Sequence, residues 1–175
     1  MEFRLLRADE IDCRISTCSQ WGVGLLLYKD ARCDQNILDE TVGAENWQRK
    51  HYAVKDNMYC SVGIRCNGEW VWKDDCGTES FSEKEKGEAS DSFKRACFNW
   101  GIGRELYTAP NIVISLGEKE YYIKKDNNGK DKYIPTLNLS VKEIEYENKV
   151  ITKLIIVDSR GEVRFEYNPR NKETK

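Results

Sequence analysis

Apolar residues recur along the chain with two different periods, and the switches between them mark the elements. Residues 13–28 mix β-branched and apolar side chains with Gly22 and Gly24, the pattern of a strand or a strand pair. The stretch "DARCDQNILDETVG" changes to helical spacing. Asp30 is placed to cap it and Gly43 to stop it, which predicts a helix over 31–42. "MYCSVGIRCNGEWVWKDD" then returns to period two. Asn67-Gly68 between two β-rich runs signals a hairpin, because both residues tolerate φ > 0. With those two residues as the loop, Arg65 faces Trp70, Ile64 faces Val71, Gly63 faces Trp72 and Val62 faces Lys73. One face of the hairpin then carries Met58, Cys60, Val62, Ile64 and Val71, a core surface. The other carries Tyr59, Arg65, Trp70 and Trp72, too aromatic to be left in water, and reads as a partner surface.

A second helix is predicted over 83–100. Ser80 with Glu83, or Ser82 with Glu85, has capping-box spacing, and Gly101 supplies the stop. Ala89, Phe93, Ala96, Cys97 and Trp100 fall within an arc of about 80°, the width of a buried stripe. Lys94 and Arg95 lie off that stripe, and Phe98 lies almost opposite it. The C-terminal third reads as strands: "NIVISL", "KEYYIKK", "KYIPTLNLSVKEIEYE", "KVITKLIIVD" and "EVRFEY", separated by "DNNGKD", "NK" and "SRG" turns. Hairpin connections dominate, so the fold class expected is α+β with a mostly antiparallel sheet, the hairpin packed on the long amphipathic helix. The chain's 175 residues are expected to form one domain over 1–168, with 169–175 as a flexible tail.

Composition narrows the function classes. Seven cysteines are an odd number and form no C-x-x-C pair, so they read as reduced thiols serving as small apolar side chains. No apolar run approaches a membrane span, and "MEFRLLRADEID" lacks the basic-then-apolar order of a signal peptide; the expected location is the cytoplasm, with no membrane partner. The formal net charge is −2 with a pI near 5.7, so any nucleic-acid surface must be focused on one face.

Catalytic patterns are missing. No glycine stretch has the G-x-x-x-x-G-K-[ST] spacing of a phosphate loop, and "GIG" at 101–103 ends a helix where a phosphate cradle would open one. The acid–x–lysine step that places a carboxylate and an ammonium on one strand face occurs only at Glu147-Asn148-Lys149 and Glu173-Thr174-Lys175. His51, the single histidine, has no evident nucleophile beside it. The expectation is a protein that is not an enzyme, with no catalytic residues, no metal and no cofactor. Binding remains. Arg32, Arg65, Lys73, Lys94, Arg95 and Arg104 are the candidates for a groove that tracks phosphates, and Tyr59, Trp70, Trp72 and Phe98 could stack on bases or on another protomer.

Taken together, "YKDARCDQNILDETVGAENWQRKHY", the hairpin, and "CGTES...EKGEASDSFKRACFNWGIGRELYTAP" resemble the Rad-fifty-two/Sak family of single-strand annealing proteins, in particular its phage and prophage branch. The resemblance covers roughly residues 28–110 and is most specific at 83–110. It implies protomers assembled into a homo-oligomeric ring, with single-stranded DNA in a positively charged groove and ATP-independent annealing in recombination and double-strand-break repair. A bacterial host cytoplasm is the implied setting, with a single-strand-binding protein or an exonuclease as candidate further partners. By position, Lys94 and Arg95 match the paired basic residues on the family's long helix, and Arg32 matches the arginine upstream of the Gly/Asn/Trp segment, here "VGAENW". Arg65, Lys73 and Arg104 are added from charge and placement. Phe98 departs from the pattern, since eukaryotic members have a basic residue there. A module of the same fold that assembles but binds protein in place of DNA is the alternative.

Overall fold

A computed structural model describes residues 1–78 and 84–172, and shows an α+β protein with antiparallel sheets. It divides into two compact units. The first comprises Met1–Leu5 and Lys29–Arg104, the second Leu6–Tyr28 and Glu105–Lys175. Among the described residues, no helix is long and apolar enough to cross a membrane.

The first unit opens with α1 (Ala31–Val42). Its start follows from Asp30, whose carboxylate accepts the N–H groups of Arg32 and Cys33 and so satisfies two donors that the first turn leaves without partners. Gly43, at φ 84°, ends it. Both ends are as the sequence predicts. After β1 (Asp12–Ser19) and β2 (Gly22–Tyr28), which belong to the second unit, three strands follow in the order β3-β4-β5: β3 (Trp47–Val54), β4 (Asn57–Cys66) and β5 (Glu69–Cys76). Asn67 and Gly68 take left-handed conformations at φ 51° and 88°, and the β4–β5 register pairs Arg65 with Trp70, Ile64 with Val71, Gly63 with Trp72 and Val62 with Lys73, as expected.

The strand β3 is not foreseen by the sequence reading. It pairs with β4 through a Lys55-Asp56 turn, and it sets Trp47, Arg49 and His51 on the face that meets α2 (Lys84–Trp100). Arg49 lies over the Phe93 ring at 4.6 Å, Trp47 stacks on Phe93 at 6.1 Å, and His51 Nε2 is 3.0 Å from the Ala89 carbonyl. The buried stripe of α2 includes Phe93, Ala96 and Cys97, with Ala89 and Trp100 half-buried, and extends to Ser92 and Glu88. Glu88 is tolerated there because its carboxylate accepts the Met58 N–H at 2.6 Å. Cys60, Val62 and Ile64 complete this core, while Met58 is half-buried and Val71 is exposed. The capping pairs Ser80–Glu83 and Ser82–Glu85 lie outside the described residues.

The second unit holds a six-stranded antiparallel sheet of order β11-β10-β9-β1-β2-β6. Its strands are β1 (Asp12–Ser19), β2 (Gly22–Tyr28), β6 (Ile112–Ser115), β9 (Leu139–Glu147), β10 (Val150–Asp158) and β11 (Val163–Tyr167). The two edges approach each other, for Arg164 of β11 donates to the Ser115 carbonyl of β6 at 3.0 Å. A separate hairpin is formed by β7 (Tyr121–Lys125) and β8 (Asp131–Pro135). The run 132–147, expected as one strand, is thus two strands in different sheets. Pro135 accounts for the break, since it has no N–H to continue a ladder. Val23, Leu25, Ile112, Ile114, Ile151, Leu154 and Ile156 are buried. In the expected tail, a short 3-10 turn occupies Pro169–Lys172, and Glu173-Thr174-Lys175 lies outside the described residues.

Candidate nucleic-acid interface

All six basic candidates belong to the first unit, and the structure separates them into three settings. Adjacent positions on a helix point about 100° apart, and Lys94 and Arg95 therefore meet different neighbours. Arg95, half exposed, donates from Nε to Asp75 of β5 at 3.1 Å. Lys94 is half-buried on the side of α2 where its charge acts on Asp34 of α1. Arg32, with 85% of its side chain exposed, is on the first turn of α1 and holds Asp30 at 2.6 Å.

Asp34 anchors this side of the unit. It is fully buried and ion-paired with Lys29, itself 7% exposed. Burial pushes the Asp34 carboxyl up to about 6, against the pull of Lys29 and then Lys94. Its Oδ2 has no hydrogen-bond partner among the described residues. Lys29 is thus committed to Asp34, whereas Arg32, paired with Asp30, and Arg95, paired with Asp75, keep much of their guanidinium surface accessible. Such exposed pairs are worth only about 0–1 kcal/mol, so a phosphate can replace the carboxylate at little cost.

Lys73 and Arg104 have another role. Lys73 Nζ donates to the Asn99 carbonyl at 3.0 Å and lies 4.4 Å from the centre of the Trp100 ring. Arg104 donates from Nε to the Phe98 carbonyl at 2.7 Å and from Nη2 to the Asn99 carbonyl at 2.9 Å. Both cations sit at the negative end of the α2 dipole and serve carbonyls of its last turn: Asn99 takes both, and Phe98 accepts Arg104 as well as the Gly101 N–H at 2.9 Å. Phe98 is half-buried, with the Arg104 guanidinium 5.5 Å above its ring. It underlies this helix end.

Arg65 lies elsewhere, exposed on the face of the three-stranded sheet turned away from α2. The aromatic residues expected on that face, Tyr59, Trp70 and Trp72, are there. Lys50 and Tyr52 of β3 join them, two residues that sequence reasoning missed. The signal was the interleaved "WQRKHY", which becomes legible only once the segment is paired with β4.

Burial raises the thiols of Cys60 to about 11 and of Cys97 well above its ordinary value, and burial with Asp12 raises Cys13 to about 11. All seven cysteines are free thiols. Among the described residues, no group of three or more His, Cys, Asp or Glu side chains is arranged to hold a metal ion. No family model matches the chain, and neither a curated protein nor a solved structure matches it.

Proposed function

We propose that the protein binds single-stranded DNA through its phosphates and anneals complementary strands without ATP, as a homo-oligomeric ring acting in recombination and repair. The observation that carries the reading is the contrast among the cations of the first unit. Arg32 and Arg95 keep exposed side chains and Lys94 is half-buried on α2, whereas Lys73 and Arg104 are spent on the end of α2. Arg32, Lys94 and Arg95 are also the positions at which the resemblance to the annealing family implies DNA contact.

Cations spaced along such a surface hold the backbone and release counterions without reading sequence. A strand held by its phosphates keeps its bases available to a second strand, so pairing supplies the specificity and the protein supplies geometry and charge neutralisation. Self-association has a candidate surface in the second unit. Leu26 of β2 and Val113 of β6 are 59% and 58% exposed on one face of the sheet.

The test is annealing of two complementary oligonucleotides with neither ATP nor metal. The wild-type protein accelerates pairing, and Lys94→Ala with Arg95→Ala abolishes most of that acceleration while eluting at the wild-type size. Wild-type annealing by the double variant, or loss of assembly in place of loss of binding, refutes the role given to these residues.

A further inference from the structure

The face of the β3-β4-β5 sheet turned away from α2 has a composition that a solvated surface does not need. Tyr52 stacks on its cross-strand partner Tyr59 with ring centroids 5.7 Å apart. Trp70 and Trp72, two residues apart on β5, have centroids 6.2 Å apart. Trp72 lies flat over Gly63, where a Cβ would come within 2.8 Å of the ring, so the strand is shaped to seat it. Lys50 Nζ stands 4.4 Å from the centre of the Trp72 ring, and Arg65 is paired across the strands with Trp70. Tyr52 is 39% exposed and Trp70 40% exposed, so each pair offers a ring to an incoming group.

Positive charge predominates on this face. Asp74 is its single acid among the described residues, and it is engaged from both sides: Tyr52 Oη donates to Oδ2 at 3.0 Å, and Ser61 Oγ donates to Oδ1. Lys50 and Arg65 are left to act on a ligand. A protein partner with an apolar face would leave both cations buried and unpaired, which is costly. A strand of unpaired nucleotides meets both demands, because every base has a π-face for the rings and every linkage carries a negative charge for the cations.

We propose that this face is a base-stacking platform for single-stranded DNA, with the Tyr52–Tyr59 and Trp70–Trp72 pairs as two separate stacking positions. Along β4, Tyr59 and Gly63 are four residues apart, or about 13 Å at the rise of a strand, so the two pairs engage different bases of one strand. Lys50, on β3 between them in register, and Arg65 beyond neutralise the phosphates that join those bases. The inference takes its choice of ligand from the single-strand reading of α1 and α2, but it uses none of their residues.

The experiment measures the anisotropy of a labelled oligo-dT strand, and of an abasic strand of the same length, with the full chain. Trp70→Ala and Tyr52→Ala each weaken oligo-dT binding roughly ten-fold, with the salt dependence of binding unchanged, while Trp70→Phe stays close to wild type. The abasic strand binds the wild-type protein as weakly as it binds Trp70→Ala, a comparison that holds whether or not the alanine variant is fully stable. Oligo-dT affinity unchanged in Trp70→Ala, or equal binding of both strands by the wild type, overturns the platform. So does a loss of self-association in Trp70→Ala with DNA affinity kept, which assigns the face to a second copy. Weakening by Trp70→Ala alongside wild-type affinity in Lys94→Ala/Arg95→Ala supports the platform and defeats the phosphate reading. The reverse pattern defeats the platform alone.

Discussion

Lys29 is the residue on which the division of the cations depends. Its ammonium is buried with Asp34, and the Lys94 charge also lowers the Asp34 carboxyl. Gly103 makes room for the arrangement. It has φ 79°, in the left-handed region, and a Cβ there would sit 2.3 Å from Lys29 Cε. Lys29 has little freedom to retreat, since moving it would leave a buried carboxylate without its counter-charge. Gly103→Ala therefore carries both backbone strain and a clash, and it is expected to cost about 1–3 kcal/mol. Thermal unfolding checks this, as a drop in Tm of several degrees for a chain of this length. An unchanged Tm would mean that the close approach of Gly103 to Lys29 is not a constraint of the fold.

At the scale of elements, legibility followed locality. The helix α1 is readable end to end because Asp30 and Gly43 act on their own first and last turns. The β4–β5 register is readable because Asn67-Gly68 sets it. Lys55-Asp56 gives no such signal, although both residues adopt φ of 49° and 65°. Its strand also escapes notice, because Arg49 and His51 spend their polar ends on Phe93 and the Ala89 carbonyl, contacts made only after α2 is in place. The same holds for the site. The aromatic side of the hairpin follows from alternation, but the positions of Lys73 and Arg104 depend on where the α2 carbonyls end, 26 and 5 residues away from Asn99 in the chain.

The meeting of β6 and β11 in the second unit is another contact made at long sequence separation, and pH tests it. Arg164 Nη1 and Nη2 donate to the two Glu120 oxygens at 2.6 and 2.9 Å. The Arg164 guanidinium, then the Gly117 N–H, hold the Glu120 carboxyl down to about 2. The folded state binds that proton more weakly than the unfolded chain does, where glutamate titrates near 4.3. Its contribution to stability is thus complete above that value and is lost as pH falls toward 2. Denaturant midpoints should decline across this window in the wild type, and Glu120→Gln should remove part of the decline. Parallel pH profiles for the two proteins would show that the clamp adds nothing to stability.

The whole molecule carries a formal charge of −2, which offers a nucleic acid no general attraction. Binding must come from cations close to the strand, and the salt dependence of affinity counts them. For single strands, log K falls with log salt by about 0.7 for each phosphate neutralised. Removing Lys94 and Arg95 together should flatten that slope by about 1.4. Arg104→Ala should leave it nearly unchanged, because that guanidinium already serves the carbonyls of Phe98 and Asn99 and its loss falls on helix stability. Oligo-dT titrations at a series of salt concentrations measure all three slopes. An equal slope for the wild type and the Lys94/Arg95 variant would remove both residues from the phosphate path. A flattened slope for Arg104→Ala would place the end of α2 on it. The count is made at the scale of the molecule, but it discriminates between neighbouring cations that composition and charge treat alike.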